Sequence, residues 1–311
     1  MIIYDLPNEE YHNSKKYADY ISSSQLKHYL KSPLAYKHAI NNPQTDTDAL
    51  RFGTLFHEAM ALYKEHGTID AFFDAIAIFR APINPKTGSA YGSATKAYSE
   101  AYQAFMEENK GKLIATAEEA MLVDDMVRVL VQSNTFTSRQ VKKLLKWGKT
   151  EVSMFHETEE GIKLKVRPDL LTPKKIVDWK TTSSDDLSEE AINRLILKYG
   201  YHISAAMYVW VNHELTGEWA TFYLVIVSKV APYDAIMVDM TNYAYRYLPD
   251  VDIAIPNCGA MEFKRLLNLH AKCLKENHWG GAETLIQGDK YKILEIEPPK
   301  WYNNKFNELT D

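Results

Sequence analysis

The stretch from Lys165 to Thr182, KVRPDLLTPKKIVDWKTT, restricts the fold of this chain more than any other segment. Two apolar runs flank a Pro-containing break at residues 172–175, which is typical of a β-hairpin. In the register that this break favours, Asp169 lies opposite Asp178. Because side chains alternate between the two faces of a strand, Asp178 and Lys180 then point the same way. The hairpin therefore predicts two carboxylates and an ammonium close together.

Carboxylates in direct opposition favour a bound divalent cation, because opposed like charges otherwise destabilise a hairpin. Mg²⁺ prefers oxygen ligands and often takes one or two carboxylates together with water and a substrate phosphate. Such a cation activates water and stabilises the departing oxygen in phosphodiester cleavage. Lys180 would hold the attacking water or help to deprotonate it, and would offset charge in the transition state. The alternative is an ordinary surface hairpin, but Pro168-Asp169 and the apolar Ile176-Val177 favour the metal site.

The spacing of Pro168-Asp169 and Asp178-Trp179-Lys180 resembles the signature of the PD-(D/E)xK nuclease superfamily. Other segments are similar to the exonuclease VIII (RecE-type) nuclease domain of phage and prophage type. These segments are ISSSQL at 21–26, SPLAY at 32–36, RFGTLFH at 51–57, EVS at 151–153, TT at 181–182 and GYHISAAMY at 200–208. The resemblance covers roughly residues 18–215 and, more loosely, the chain around Trp279 and Pro298-Pro-Lys-Trp301.

The resemblance implies a role for each matching residue of the centre. The implied metal ligands are His57, Asp169, Asp178, the backbone carbonyl of Trp179, and Glu151, directly or through water. The implied catalytic residues are Lys180, Asp169, Asp178 and Glu151. The predicted cofactor is Mg²⁺, with Mn²⁺ able to replace it. The iron–sulfur cluster of some relatives needs four cysteines, and this chain has 2, so none is expected.

A predicted helix matches the family's Gln-x-x-x-Tyr helix, with Tyr208 at the tyrosine. Ser204 stands where the family has glutamine, and its side chain is too short to reach as far. His202 or Lys180 is expected to replace part of the missing amide. Arg167 ends a run of basic residues that borders the hairpin and is predicted to contact DNA phosphates. The other members of that run are Lys142, Lys143, Lys146, Lys149, Lys163 and Lys165.

Purely structural explanations exist for several of these residues. His57 lies beside an apolar helical face, where a lone histidine is more often packed in a core than bound to a metal. Its neighbours do not complete a His-Glu-x-x-His zinc motif. Tyr208 fits a structural helix, and Glu151 fits an exposed charge at a strand end. The roles of all three as site residues rest on the resemblance.

The composition is that of a globular protein of 311 residues with a net charge of −5. We expect a single nuclease domain over 1–311, with an irregular segment at 1–20 and a catalytic core at about 50–230. The two cysteines lack a metal spacing and indicate a reducing cytoplasm. The chain opens without a signal-peptide pattern, and no apolar run approaches the roughly 20 residues that span a bilayer. We therefore expect no membrane association.

The predicted fold class is α/β, with a restriction-endonuclease-like core in which helices flank a central mixed sheet. The predicted strands are three pieces within 151–182, followed by 218–230 and 233–239 paired antiparallel. A capping box at Thr116-x-x-Glu119 predicts a helix start. The other predicted helices are 23–31, 33–41, 52–66, 94–109, 188–199, 201–215 and about 255–277. Residues 81–93, rich in Pro, Gly and Ser, are predicted to form a loop.

The predicted function is a Mg²⁺-dependent deoxyribonuclease. The resemblance implies an exonuclease that resects double-stranded DNA ends from 5′ to 3′ in phage-type recombination. It also implies a homo-oligomeric ring and a single-strand annealing recombinase as partner. Two alternatives remain open. One is an endonuclease or defence nuclease on the same core, and the other is a noncatalytic DNA-binding or assembly module that has kept the fold.

Overall fold

The computed structural model describes residues 1–43 and 47–285. The chain divides into two compact units. The first consists of Met1–Ser23 and Gln44–Arg265, and the second of Ser24–Pro43 with the chain from Leu266 on. The expectation of one nuclease domain over 1–311 stays a prediction. The loosely matched segment Pro298-Pro-Lys-Trp301 lies outside the described residues.

The strands are numbered in chain order. They are β1 Ile2–Ile3, β2 Ile76–Phe79, β3 Leu113–Thr116, β4 Lys149–Thr150, β5 Ser153–Glu157, β6 Lys163–Val166, β7 Leu170–Thr172, β8 Lys175–Thr182, β9 Thr221–Ser228, β10 Ala235–Asp239, β11 Tyr245–Leu248 and β12 Ile253–Pro256.

The helices are numbered in the same way. They are α1 Asn8–Asn13, α2 Ser23–Leu26, α3 Pro33–Asn41, α4 Asp48–His66, α5 Asp70–Ala75, α6 Lys96–Glu108, α7 Ala117–Gln132, α8 Phe136–Trp147, α9 Glu189–Tyr199, α10 Tyr201–Thr216 and α11 Cys258–Glu276. Short 3₁₀ turns occupy Lys15–Tyr17, Lys27–Leu30 and Ala282–Leu285. No helix within the described ranges combines the length and the apolar character needed to cross a bilayer.

A mixed sheet carries the predicted hairpin. Among the described residues its strand order is β10-β9-β8-β7-β4. Strand β8 runs parallel to β9, and the other neighbours are antiparallel. Val177 and Trp179 are buried in the same apolar cluster as residues of α4, α7 and α8. Alternation along β8 turns Asp178 and Lys180 to the opposite face. The expected α/β fold with a mixed sheet between helices is confirmed.

The hairpin has the predicted register and a tighter turn. Leu170 pairs with Val177, Leu171 with Ile176 and Thr172 with Lys175. The turn is therefore the two residues Pro173-Lys174 rather than the four-residue break at 172–175. One step beyond the last ladder pair, the same register sets Asp169 opposite Asp178.

Most predicted helices exist, and α4 begins four residues earlier than predicted because Thr47 caps it through the Leu50 amide. The capping box at Thr116 is confirmed, since the Thr116 hydroxyl and the Glu119 carboxylate each accept the other residue's backbone N–H. Helix α8 and the strands β2, β3, β11 and β12 are not among the predicted elements. These strands have 4 residues each, too few to show a clear period of two.

The expectation that residues 1–20 are irregular is wrong. Strand β1 pairs with β5, and Tyr11 and Tyr17 are buried. Tyr17 stacks on Phe155 with ring centroids 4.3 Å apart. Lys165, 5% exposed, donates from Nζ to the carbonyls of Tyr11 and Tyr17 at 3.0 and 3.4 Å. The segment has little apolar periodicity of its own, so its order depends on partners that lie 148 and 154 residues away in the sequence.

The second unit is built on aromatic packing. Tyr29 donates to Nδ1 of His270 at 2.7 Å. Burial lowers the pKa of His270 to about 4, so the ring is neutral and can accept this bond. Tyr36 stacks between Tyr29 and Trp279, at centroid distances of 4.4 and 5.6 Å.

We predict that Phe155→Ala lowers the free energy of unfolding by about 3–5 kcal/mol, because it removes a buried ring on which the N-terminal aromatics pack. Urea denaturation followed by tryptophan fluorescence measures this loss. Phe136→Ala, at a ring that is 67% exposed, is the matched control and should cost less than about 0.5 kcal/mol. Equal effects of the two substitutions would contradict the packing role of Phe155.

Candidate metal centre

The peptide unit of Trp179 organises the centre. Its N–H donates to Oδ2 of Asp169 at 2.6 Å. Its carbonyl oxygen accepts from Nε2 of His57 and from Nζ of Lys180, both at 3.0 Å. The indole is buried in the core, which fixes the backbone from which these bonds are made. Trp179 thus links three of the predicted site residues through main-chain atoms.

His57 lies on α4 and reaches the hairpin across the edge of the core. Its Nδ1 is 2.9 Å from Oδ1 of Asp169, and its Nε2 faces the Trp179 carbonyl. Both neighbours are acceptors, so both ring nitrogens carry hydrogen and the ring is an imidazolium. Burial lowers the pKa of His57, but the charge of Asp169 and its hydrogen bond outweigh burial, and the pKa is raised.

Asp169 is ionised against this imidazolium. Burial raises the pKa of Asp169, but His57, Lys180 and the Trp179 N–H together lower it. The carboxylate therefore keeps its charge although the residue is buried.

Glu151 completes a group of three side chains that could hold a metal ion. It lies between β4 and β5 rather than opening a strand, and its backbone has φ 54°, a region that side chains rarely adopt. Candidate ligand atoms of His57, Glu151 and Asp169 all lie within 4.8 Å of one another. Burial and the charge of Asp169 raise the pKa of Glu151 to about 7.

The Arg167 side chain bonds to other residues of the chain and is mostly shielded from solvent. Its Nε donates to Oε2 of Glu151 at 2.6 Å, and its Nη2 donates to the Leu6 carbonyl at 3.0 Å. The guanidinium thus holds the Glu151 carboxylate in place from the side of the N-terminal segment. The predicted contact of Arg167 with DNA stays a prediction, and the structure assigns the residue a different contact.

Asp178 and Lys180 form an ion pair beside the three candidate ligands. Nζ of Lys180 lies 2.5 Å from Oδ2 of Asp178. Burial lowers the pKa of Lys180, but the charges of Asp178 and Asp169 raise it by more than burial lowers it. The lysine is therefore an ammonium at neutral pH. Burial raises the pKa of Asp178, with Lys180 opposing and Asp169 adding to the rise. The predicted convergence of these side chains on one face is present, while the role of Asp178 as a direct metal ligand stays a prediction.

The donor set fits a divalent cation. Two carboxylates, an imidazole and the Trp179 carbonyl lie together, and such oxygen-rich sets suit Mg²⁺ and Mn²⁺, with imidazole also common for transition metals. Three ionisable groups held so close, with opposed effects on their pKa values, are typical of a functional site. A cation there would replace the hydrogen-bonded protons that now lie between these groups.

Helix α10 covers the same face of the sheet. The Tyr208 hydroxyl donates to the Arg167 carbonyl at 3.5 Å, and burial together with Asp178 raises the pKa of Tyr208 well above its usual value. Ser204 is one turn before Tyr208 and half-buried. His202 instead lies near Tyr243, with ring centroids 6.3 Å apart. Its predicted replacement of the glutamine amide stays a prediction, and the structure places His202 on another side of the helix.

Tyr201 is a residue of this site that is not among the predicted ones. Its ring lies 5.7 Å from Nζ of Lys180, and burial raises its pKa to about 12. The signal was available, because Tyr201, Ser204 and Tyr208 follow the spacing i, i+3 and i+7 of one helical face. On this helical face, the resemblance implied roles only for Ser204 and Tyr208.

A model of a protein family matches residues 22–254, about three quarters of the chain, and its description is "PDDEXK-like domain of unknown function (DUF3799)". The chain belongs to this family. The likeness to PD-(D/E)xK nucleases is thereby confirmed, whereas the RecE-type specificity stays a proposal. PDDEXK nucleases use divalent metals, so the geometry of the candidate centre agrees with the family.

A solved structure has a similar fold. It is the crystal structure of a protein from Eubacterium rectale named "Putative exonuclease", with a TM-score of 0.53 and 16% sequence identity. The alignment covers 96% of this chain and 98% of that chain. At this identity the likeness concerns the fold. Among curated proteins, none matches this sequence. Family and fold together support a nuclease.

We predict that binding of Mg²⁺ or Mn²⁺ releases protons and tightens as pH rises. His57 must lose a proton before its nitrogen can bind a metal, and Glu151 must ionise. The pKa of His57 is raised and that of Glu151 is about 7, so at pH 6 both groups are protonated and about two protons should leave per cation, with fewer released once pH exceeds about 7 and Glu151 is already ionised. Isothermal titration in buffers with different ionisation enthalpies counts these protons. Glu151→Gln is the control and should lose about one of them at pH 6, and pH-independent affinity of the unaltered protein would exclude this ligand set.

We predict that Tyr208→Phe weakens DNA binding or turnover about fivefold, the effect of one lost hydrogen bond. Ser204→Ala should change either quantity less than about twofold, because the short hydroxyl reaches substrate only through water. Ser204→Gln should retain activity and bind at least as tightly. Steady-state kinetics on one linear duplex compare the three variants. A severe defect in Ser204→Ala with a normal Tyr208→Phe would reverse the assignment.

Proposed function

We propose that this chain is a Mg²⁺-dependent exodeoxyribonuclease that degrades double-stranded DNA from 5′ ends, leaving a 3′ overhang. The observation that supports it most directly is the position of the Asp178–Lys180 ion pair beside the ligand group of His57, Glu151 and Asp169. A cation site next to a positioned ammonium is the arrangement that phosphodiester hydrolysis requires. Mn²⁺ is expected to replace Mg²⁺.

The ligands and the lysine have separate roles in this proposal. His57, Glu151, Asp169 and the Trp179 carbonyl would hold the cation, which supplies water activation and charge neutralisation at the departing oxygen. Asp178 holds Lys180 and faces the same space. Because its carboxylate neighbours keep Lys180 protonated, the lysine donates hydrogen bonds to water and to the phosphate oxygens instead of removing a proton.

The substrate face is expected to lie along α10. The Tyr201 ring lies 5.7 Å from Nζ of Lys180, and the Tyr208 hydroxyl makes only a long hydrogen bond of 3.5 Å to the Arg167 carbonyl, which a substrate oxygen could replace. A phenol hydroxyl can donate to a phosphate oxygen, and the ring can pack against a sugar or base. Arg167 acts indirectly, because its bond to Glu151 keeps that carboxylate turned toward Asp169.

The proposal extends to the biological setting. By its resemblance to RecE-type enzymes, the chain would act in the cytoplasm, in phage-type recombination. It would form a homo-oligomeric ring and supply single strands to an annealing recombinase. An endonuclease or defence nuclease on the same core would cut circular DNA, and a noncatalytic module would bind DNA without cutting it.

Digestion of 5′- and 3′-labelled linear duplexes and of circular DNA, with Mg²⁺ or a chelator, decides among these functions. The proposal expects early loss of the 5′ label, an intact circle and no cleavage with chelator. Lys180→Ala should reduce turnover at saturating Mg²⁺ by about a hundredfold or more while metal affinity stays within a few fold. Cutting of the circle would show an endonuclease, and binding without any cleavage would show the noncatalytic module.

A further inference from the structure

Some of the basic residues that precede the hairpin are bonded to other parts of the chain, and others are exposed to solvent. Lys165 and Arg167 are committed to buried contacts with the N-terminal segment, and Lys142 donates to the Ser133 carbonyl at 3.1 Å. Lys143, Lys146 and Lys149 are exposed. None of these three makes an ion pair with another residue in the described part of the chain.

The exposed lysines alternate with exposed aromatic rings. Trp147 is 73% exposed, and Nζ of Lys146 lies 5.1 Å from its centroid. Tyr4 is 49% exposed, and Nζ of Lys149 lies 4.0 Å from its centroid. We call Tyr4, Lys143, Lys146, Trp147 and Lys149 the Trp147 surface.

If this surface were only a solvated lysine face, the exposed indole of Trp147 would have no role in it. Lysine alone keeps a helix end soluble, whereas an exposed tryptophan leaves a large apolar area in water. Among the exposed large hydrophobic side chains of the described residues, Trp147 has the highest exposed fraction. Phe136, at the other end of α8, is similarly exposed, but no lysine lies over its ring among the described contacts.

The Trp147 surface is held next to the metal centre by backbone pairing. In β4, Lys149 pairs with Leu171 and Thr150 with Leu170, and the next amide, of Glu151, donates to the Asp169 carbonyl. Two residues of chain span at most about 7 Å, so the Cα atoms of Lys149 and Glu151 are no farther apart than about one nucleotide.

Gly148 makes this close packing possible. A Cβ atom at this position would lie 2.5 Å from Cγ of Leu170. The helix therefore ends directly against β7, the strand that begins one residue after Asp169, and the backbone of Trp147 and Lys149 is held close to the centre.

We propose that the Trp147 surface binds single-stranded nucleic acid, the strand that leads to or from the scissile phosphate. Stacking on an exposed ring requires the open face of an unpaired base. Lysines beside each ring can neutralise the phosphates between successive bases. The role in cleavage rests on the proposed nuclease function, while the binding itself does not.

The binding test uses fluorescein-labelled oligo-dT of twelve nucleotides, in chelator so that no cleavage occurs, followed by anisotropy. Trp147→Ala should weaken binding roughly five- to a hundredfold, as expected for one lost stacked base. Trp147→Phe should restore most of the affinity, and Phe136→Ala should leave it unchanged. Equal affinities of Trp147→Ala and the unaltered protein would overturn the proposal.

Salt dependence tests the lysines. The double variant Lys146→Ala, Lys149→Ala should reduce the slope of log K against log salt by about 1.4, or about 0.7 for each lost phosphate contact on a single strand. The double variant Lys110→Ala, Lys112→Ala removes two exposed lysines from the connection between α6 and β3 and should leave the slope unchanged. An equal change of slope in both double variants would indicate general charge attraction and overturn the proposal. The proposal would also be overturned if the protein bound a duplex more tightly than the single strand and Trp147→Ala did not change the affinity for the duplex.

Cleavage separates this proposal from the proposed function. Trp147→Ala should slow degradation of a long duplex. Hydrolysis of bis(p-nitrophenyl) phosphate needs only the metal centre, and the surface ring does not contact that small substrate. Its rate should therefore stay within about twofold of the unaltered rate. Equal loss on both substrates would place Trp147 in the support of the centre and overturn the proposal. If the unaltered protein hydrolyses neither substrate, the nuclease function fails, and the anisotropy results still decide the binding surface.

Discussion

The peptide unit of Trp179 connects the core of this protein to its chemistry. The indole packs among residues of three helices, so the backbone at this position cannot shift without disturbing the core. From that fixed point, the N–H holds Asp169 and the carbonyl holds His57 and Lys180. Side chains from α4, from β8 and from the residue before β7 therefore converge through a main-chain group. Such support from rigid elements is what keeps a reactive centre within the narrow geometry that hydrolysis needs.

The charges of the centre balance one another in two adjacent pairs. Asp169 faces an imidazolium, and Asp178 faces an ammonium. Each partner offsets the cost of burying the other, which explains why ionised groups persist at a largely buried position. Burial and Asp169 raise the pKa of Glu151 to about 7 despite the bond from Arg167, and they also raise the pKa of Asp178 despite the charge of Lys180. A divalent cation would relieve the repulsion between the two carboxylates, so the same arrangement that costs free energy without metal favours binding of one.

The N-terminal segment takes part in this arrangement through Arg167, which bonds both to Leu6 and to Glu151. Its carbonyls accept from Lys165 and Arg167, two cations that the sequence pattern placed in a DNA-binding run. The lysines that remain exposed lie farther along the chain toward α8, beside Trp147 and Tyr4. Charge counted along the sequence therefore overstated the basic surface, because Lys165 is buried and Arg167 is largely buried, with carbonyl oxygens of the N-terminal segment as their partners.

Sequence alone determined the local features of the protein. The apolar runs around Pro173 specified the hairpin, its register and the shared face of Asp178 and Lys180, because strand periodicity and turn chemistry act over a few residues. The capping box at Thr116 was equally local. Tertiary structure decided what distant segments contribute: the imidazolium state of His57, the turn of Arg167 toward Glu151, and the order of residues 1–20. Each depends on partners that lie about 100 residues or more away, or on strained backbone at Glu151, and periodicity carries no information about such pairings.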